Sequence, residues 1–149
     1  PDVSPASSSR FENDFQTLSI LGNGSFGTVL KCISRLDGCL YAIKTTRRSI
    51  RGNSEKHKFL KEVHALSALC NQPEKGTFHI VRYHQAWIED GHLYIQTELC
   101  DQGNLLQYMT LGDGMSEVER WKLLREILLA LELVHLSEMV HLDIKPENI

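Results

Sequence analysis

The stretch "HLDIKPENI" at residues 141–149 carries three side chains whose types and spacing suit phosphoryl transfer. Asp143 offers a carboxylate that can accept the hydrogen bond of a substrate hydroxyl, and Lys145 offers a cation that can neutralise a transferring phosphoryl group. Asn148 offers an amide that can hold a magnesium ion. Taken alone the stretch could be an ordinary turn, so its interpretation depends on the motifs that precede it.

A glycine-rich segment, "GNGSFGTV", spaces its glycines as G-x-G-x-x-G at Gly22, Gly24 and Gly27. A plain glycine turn and a dinucleotide-binding turn both fit this spacing. A dinucleotide fold needs a helix directly after the third glycine, whereas here the short, β-branched run "TVLKCIS" follows. We therefore predict a flap between two strands, whose glycines let backbone N–H groups approach a phosphate chain.

A lysine and a glutamate form the second candidate pair. In the strand "YAIK", Ala42 and Lys44 lie on one face, so a flat base could rest on the alanine while the lysine reaches its phosphates. Glu62 falls on the apolar stripe of the next helix, where a carboxylate is costly unless a cation meets it. Lys44 is the natural partner. The alternatives are a solvated lysine and a glutamate that reaches water at the edge of the stripe.

The stretch "TELC" forms the end of another alternating strand, in which Leu93, Ile95 and Thr97 share one face. Backbone groups at Glu98–Cys100 could bind the edge of an adenine there. Without the other motifs, an ordinary strand end explains this stretch better.

The elements that must position these residues follow from periodicity and turn residues. Three strands are predicted from Phe15 to about Thr46, the last two joined at Asp37-Gly38 by a tight turn with both central residues at positive φ. A helix then begins at Asn53 or Ser54 and ends near Cys70. Two more strands cover residues 79–88 and 92–99, separated by the turn "EDG".

Helices make up the remainder of the predicted structure. A short helix covers Leu105–Met109, and Ser116 with Glu119 forms the capping box of a long helix that ends near Glu138. Its two apolar faces predict that protein nearly encircles it. Segregated strands and helices indicate an α+β fold.

Composition excludes several classes of function. The chain has 149 residues with a net charge of −3, so no overall basic field attracts nucleic acid. The longest apolar stretch contains charged residues and predicts a helix in protein, not a membrane span. The four cysteines show no C-x-x-C pair and are expected to be free thiols. A solvated face is the preferred explanation of the basic residues Arg47, Arg48, Arg51, Lys56, Lys58 and Lys61.

In this order, the motifs resemble a eukaryotic protein kinase domain, which covers residues 15–149 and follows a disordered lead-in or linker at residues 1–14. The resemblance implies a five-stranded antiparallel N-lobe sheet with one αC-type helix, followed by the start of a helical C-lobe. It also implies ATP and Mg²⁺ as cofactors. The implied catalytic residues are Asp143, Lys145, Lys44 and Glu62, and the implied magnesium ligand is Asn148. The implied nucleotide-binding residues are Leu21, Gly22, Asn23, Gly24, Ser25, Phe26, Gly27, Val29, Ala42, Lys44, Thr97, Glu98 and Cys100.

Among kinases, "RLDGCLYAIK", "VRYHQAWIEDGHLYIQTELC" and "HLDIKPENI" look most like the Wee family, including its Myt branch. Its members phosphorylate an inhibitory tyrosine of cyclin-dependent kinases, and the Myt types also a threonine, which implies such a kinase as partner and a nuclear or cytoplasmic location. Leu142 replaces an arginine that in many kinases pairs with a phosphorylated activation loop, so activity is expected not to need that switch. A translation-initiation-factor Ser/Thr kinase is the alternative.

The Asp-Phe-Gly segment that binds most of the magnesium in kinases does not occur in these 149 residues. The chain alone is therefore expected to be inactive, and a pseudokinase or a truncated product that binds nucleotide without catalysis is a further alternative. Because the last long helix shows two apolar faces, we also expect this chain not to fold stably by itself.

Overall fold

The computed structural model describes residues 9–24, 27–72, 75–111 and 114–149. The chain divides into two compact units, the first formed by Pro1–Val63 with Tyr83–Leu99 and the second by His64–Arg82 with Cys100–Ile149. The first unit holds the sheet, and the second holds most of the helices.

The sheet has five antiparallel strands, as the sequence predicts. In chain order these are β1 (Phe15–Asn23), β2 (Gly27–Ser34), β3 (Leu40–Thr46), β4 (Tyr83–Glu89) and β5 (His92–Glu98). Their order in the sheet is β1-β2-β3-β5-β4. The α2 helix (Asn53–Cys70) follows the third strand, which confirms the predicted insertion and the α+β class.

The fourth strand begins later than predicted. Residues 79–82 were expected to be strand, but a 3₁₀ helix occupies Lys75–His79 and β4 begins at Tyr83. The 3₁₀ helix packs against the long helix of the second unit so closely that a Cβ on Gly76 would lie 2.5 Å from the carbonyl oxygen of Leu129. This contact withdraws the segment from the sheet, and nothing in the local pattern of apolar residues indicates it.

The tight turn predicted at Asp37-Gly38 is absent, and a tight turn is found between β4 and β5 instead. Gly38 has a φ of 70°, but Asp37 does not have a positive φ, so the predicted tight turn is wrong and a longer loop joins Ser34 to Cys39. The tight turn lies between β4 and β5, where Asp90 and Gly91 have φ values of 49° and 76°. Both central residues of a type I′ turn need positive φ, so this hairpin has that geometry.

Aromatic rings fill one face of the sheet. Phe15 stacks on Trp87 with ring centroids 5.8 Å apart, and Trp87 stacks on Tyr94 at 5.1 Å. Cys32 and Ile43 are buried beside them. Alternation along β3 and β5 then directs the neighbouring residues to the opposite face, where α2 lies.

A short helix, α1 (Arg10–Asp14), closes the aromatic face, which corrects the prediction of a disordered lead-in for these residues. Phe11 stacks on Tyr94 at 5.2 Å, and the Arg10 guanidinium lies 4.7 Å from the centre of the Trp87 ring. The Glu89 carboxylate accepts the backbone N–H groups of Arg10 and Phe11. Residues 1–8 lie outside the described residues, so their disorder stays a prediction.

The second unit contains α3 (Leu105–Leu111), α4 (Glu117–Leu136) and a 3₁₀ helix at Pro146–Asn148. The capping box predicted for α4 is present, with the Ser116 hydroxyl accepting the Glu119 N–H and the Glu119 carboxylate accepting the Ser116 N–H. Leu133 is buried, but 64% of Trp121 is exposed. The described residues therefore do not encircle α4, and its nearly complete enclosure by protein stays a prediction.

In the described residues, no helix is both long enough and apolar enough to cross a membrane. None of the four cysteines, all of which lie in described residues, forms a disulfide bond.

Candidate active site

One face of the sheet collects four of the predicted nucleotide-binding residues. Val29 is opposite Lys44 across the β2–β3 pair, and Lys44 is opposite Ile95 across the β3–β5 pair. Ala42 is opposite Thr97. Directly opposed residues share a face and so do residues two apart, so Val29, Ala42, Lys44 and Thr97 all belong to the face on which α2 lies.

Lys44 and Glu62 form the ion pair that helix periodicity predicts. The Lys44 Nζ donates to the Glu62 Oε1 at 2.7 Å. The pair lines a small cavity together with Thr46, Phe59, Leu93 and Ile95. The two side chains keep 37% and 36% of their surface exposed, so solvent screens their attraction and the pair adds little to stability. Its main effect is to fix where the ammonium group lies.

The glycines of the flap differ in their surroundings. A Cβ on Gly22 or Gly24 would meet nothing within 4 Å, so no described atom crowds the chain on that side. A Cβ on Gly27 would lie 1.9 Å from the carbonyl oxygen of Thr45 in the neighbouring strand. The flap closes through a hydrogen bond of 2.9 Å from Gly24 N–H to the Gly27 carbonyl. Gly27 is therefore required by strand packing.

The other predicted residues of the flap have separate positions. Leu21 is exposed at the end of β1, and the Asn23 side-chain oxygen accepts the Thr28 hydroxyl at 2.7 Å. Ser25 and Phe26, which were predicted to contact the nucleotide, lie outside the described residues.

The end of β5 presents the residues expected to contact an adenine. The half-buried Thr97 donates its hydroxyl to the Glu98 carbonyl at 3.1 Å. Glu98 is the last residue of the strand and is exposed, and so is Cys100 in the second unit. Their part in nucleotide binding stays a prediction.

In the second unit, the three residues of the loop come together. The Lys145 Nζ lies 3.0 Å from the Asp143 Oδ1, while the Asn148 amide nitrogen donates to the Asp143 Oδ2 at 2.8 Å and to its carbonyl at 2.9 Å. The 3₁₀ helix supplies this geometry because it turns Asn148 back over Asp143. Since the amide nitrogen of Asn148 is engaged, its amide oxygen is the atom left for a cation.

The backbone before Asp143 has an unusual conformation. Leu142 has a φ of 61°, in the left-handed region that a leucine rarely adopts, and 90% of it is exposed. The His141 Nδ1 accepts the Asp143 N–H at 3.3 Å, which bridges the turn. His141 therefore stabilises the backbone of the loop, and the exposure of Leu142 shows that it does not contribute to a core.

The hydrogen bond from Lys145, followed by that from Asn148, holds the pKa of Asp143 below its ordinary value. The carboxylate is therefore ionised at neutral pH and able to accept a hydrogen bond from a hydroxyl. Because the pKa is lower in the folded than in the unfolded chain, the associated stabilisation exists at neutral pH and is lost as the pH falls through the folded value.

Replacing Lys145 with alanine is expected to raise the pKa of Asp143, since the largest cause of its lowering is removed. The acid limb of the pH profile of kcat/KM should then move to higher pH, whatever the loss in maximal rate. The same profile measured for Lys122→Ala, which removes an exposed lysine from α4, should match that of the unaltered protein. An acid limb that stays in place would contradict this assignment.

The donor set fits ATP with Mg²⁺. In the first unit, an oriented ammonium group at Lys44, the uncrowded side of the chain at Gly22 and Gly24, and a small Ala42 on the sheet face of Lys44 suit a nucleoside triphosphate. The described residues contain no group of three or more His, Cys, Asp or Glu side chains that could hold a metal ion. Magnesium typically keeps several waters and takes few protein ligands, so a single amide oxygen at Asn148 suits it as a partial site.

Sequence reasoning missed three contacts near the site. Arg47, assigned to a solvated face, donates to the Gly24 carbonyl at 3.3 Å. The packing of Gly27 against Thr45 and the hydrogen bond between His92 and Thr46 were not predicted either. All three depend on which strands are neighbours. The alternation of apolar residues indicates strands but not their pairing.

The protein kinase domain family matches residues 15–149. The chain belongs to this family. Several relatives are Wee1-like protein kinases 2. This chain is 44% identical to the Wee1-like protein kinase 2 from Danio rerio over 153 aligned residues, which cover 100% of this chain and 28% of that relative. It is 42% identical to the one from Gallus gallus and 39% identical to the one from Xenopus tropicalis, in each case over 95% of this chain and 25% of the relative.

Proposed function

We propose that this kinase domain transfers the γ-phosphoryl group of ATP to a protein hydroxyl, namely the inhibitory tyrosine of a cyclin-dependent kinase, in the nucleus or cytoplasm. The loop in which Lys145 and Asn148 hold the Asp143 carboxylate ionised carries the proposal of phosphoryl transfer. The similarity to Wee1-like kinases and the leucine at position 142 support the choice of substrate. The matched relatives extend well beyond the segment that aligns with this chain.

Each residue has a role that its contacts permit. Asp143 accepts the hydrogen bond of the substrate hydroxyl and receives its proton as the oxygen attacks. Lys145 keeps that carboxylate ionised and supplies positive charge close to it. When bound, ATP would supply the γ-phosphoryl group and leave as ADP, and Mg²⁺ would neutralise part of the phosphate charge.

In the first unit, Glu62 fixes the Lys44 ammonium group so that it can pair with phosphate oxygens. The Gly22–Gly24 backbone can follow the phosphates because it has no side chains there except that of Asn23. Asn148 offers its amide oxygen to the metal. The sheet face with Ala42 and Thr97 receives the base.

The test is to incubate a protein carrying the complete kinase domain with ATP, Mg²⁺ and a cyclin-dependent kinase bound to its cyclin. Phosphotyrosine should form on the substrate, and neither the Lys44→Met enzyme nor a substrate with phenylalanine at the target position should give any. Phosphoserine or phosphothreonine without phosphotyrosine would refute the tyrosine assignment, and phosphoserine alone would instead support the initiation-factor type of kinase. Binding of nucleotide without any transfer would refute the proposal and support a pseudokinase.

A further inference from the structure

The turn between β4 and β5 is attached to the segment that joins β3 to α2. The Ile50 N–H donates to the Gly91 carbonyl at 2.7 Å. The His92 Nδ1 lies 2.8 Å from the Thr46 carbonyl oxygen, and the Leu93 N–H donates to the Thr46 hydroxyl at 3.1 Å. One hydrogen bond therefore joins the connection to the hairpin turn, and two more join the start of β5 to Thr46, the last residue of β3 before the connection.

That connection joins the two halves of the ion pair. Lys44 lies two residues before Thr46 at the end of β3, and Glu62 lies on the helix that the connection enters at Asn53. The half-exposed pair is screened by solvent and is too weak to set the position of the helix by itself. The place where the backbone of the connection is anchored therefore affects how often the carboxylate meets the ammonium group.

We propose that the β4–β5 turn is a positioning element for the Lys44–Glu62 pair and that His92 is its positioning residue. A carbonyl oxygen can only accept a hydrogen bond, so the half-buried His92 is protonated at Nδ1 and donates to the Thr46 carbonyl. The effect of His92 on turnover rests on the proposed function, whereas its effect on the ion pair does not.

The turn is suited to this role because it is held on both sides. Its Asp90-Gly91 backbone has the positive φ values of a tight type I′ turn. On one side, Glu89 accepts the N–H of Phe11 at 3.1 Å and the indole N–H of Trp87 at 3.4 Å. On the other, a Cβ on Gly91 would lie 2.1 Å from the Ser49 hydroxyl, so the connection packs directly on the turn.

The experiment measures the ion pair without nucleotide, in a protein that carries the complete kinase domain. An amine-reactive acylating reagent labels Lys44 at a rate followed by mass spectrometry, and hydrogen exchange follows the amide of Ile50. His92→Ala should raise both rates about threefold to tenfold, the range that corresponds to the loss of one hydrogen bond. His92→Asn, whose amide can donate from a similar place, should return both to within about twofold of the unaltered protein. His57→Ala, at an exposed position of α2, is the matched control and should change neither.

A double-mutant cycle decides whether His92 acts through the pair. Glu62→Gln should itself accelerate the labelling of Lys44, and His92→Ala should add nothing further in that background. An equal acceleration in both backgrounds would overturn the inference, and so would faster exchange at Ile50 without faster labelling. If His92→Ala does not fold, Thr46→Val removes the acceptor of the Leu93 N–H and should give the same acceleration.

The two proposals can fail separately. A protein that shows this labelling pattern but transfers no phosphate would refute the proposed function and leave the positioning role intact. A protein that phosphorylates tyrosine while His92→Ala leaves Lys44 labelling unchanged would do the reverse.

Discussion

Substituting asparagine for Asp143 is expected to lower the kcat of phosphoryl transfer by about two to four orders of magnitude, the usual contribution of a general base. An amide at this position cannot receive the proton of the substrate hydroxyl. It also carries no charge for Lys145 to meet at 3.0 Å. The hydrogen bond from the Asn148 amide can still be made to the new side-chain oxygen, so the loop should keep its shape.

The measurement is steady-state transfer of labelled phosphate from ATP to the substrate, with nucleotide affinity determined separately. Glu117→Gln is the matched control because it removes one exposed carboxylate at the start of α4 and changes the net charge equally. That variant should keep the full rate. An Asp143→Asn enzyme that keeps more than about a tenth of the rate would exclude Asp143 as the base.

The second large effect is expected at Gly27, where alanine should lower the free energy of unfolding by about 2–3 kcal/mol. The new methyl group would lie 1.9 Å from the Thr45 carbonyl oxygen, which belongs to the backbone of the adjacent strand and cannot rotate away. Relief requires β2 and β3 to separate where Gly27 is paired with Thr46.

Gly22→Ala is the control from the same motif, since its Cβ would meet nothing within 4 Å. Its free energy of unfolding should change by less than about 1 kcal/mol, while a loss of nucleotide affinity would report on the open backbone. Urea denaturation of a protein with the complete kinase domain measures the first, and titration with a fluorescent ATP analogue measures the second. If Gly27→Ala lowers the free energy of unfolding no more than Gly22→Ala does, the clash with the Thr45 carbonyl does not determine stability, and the prediction is wrong.

Much of the fold could be predicted because its signals are local. Alternation of apolar residues indicates five strands, and the 3- and 4-residue spacing indicates α2 and α4. The capping box needs only Ser116 and Glu119, which are three residues apart, so composition and spacing suffice. The Lys44–Glu62 pair was predictable for a related reason, since a carboxylate on an apolar stripe requires a cation nearby. The loop at Asp143 is also a local motif.

The positions that were mispredicted depend on contacts between residues far apart in the chain. Residues 79–82 do not join the predicted strand, and the 3₁₀ helix at Lys75–His79, most of which lies in the predicted loop, packs against α4 through Gly76. The α1 helix forms where a lead-in was expected because Glu89, 78 residues from Phe11, accepts its N–H and because the ring of Tyr94 stacks on Phe11. The turn at Asp37 differs, because its contacts are local: hydrogen bonds from Gly38 N–H to the Ser34 carbonyl and from Ser34 N–H to the Cys39 carbonyl close a loop longer than its Asp-Gly sequence indicates.

The sequence by itself thus determined the five strands and the α2 and α4 helices, and it predicted which side chains carry out phosphoryl transfer, because helix and strand periods and motif spacing are properties of neighbouring residues. Only the tertiary structure decided that Val29 and Thr97 share the sheet face of Ala42 and Lys44, since the register between strands sets this. It also decided that Gly27 is a packing residue and that His92 anchors the connection before α2. These depend on backbone approach between strands distant in the chain, which residue types alone do not encode.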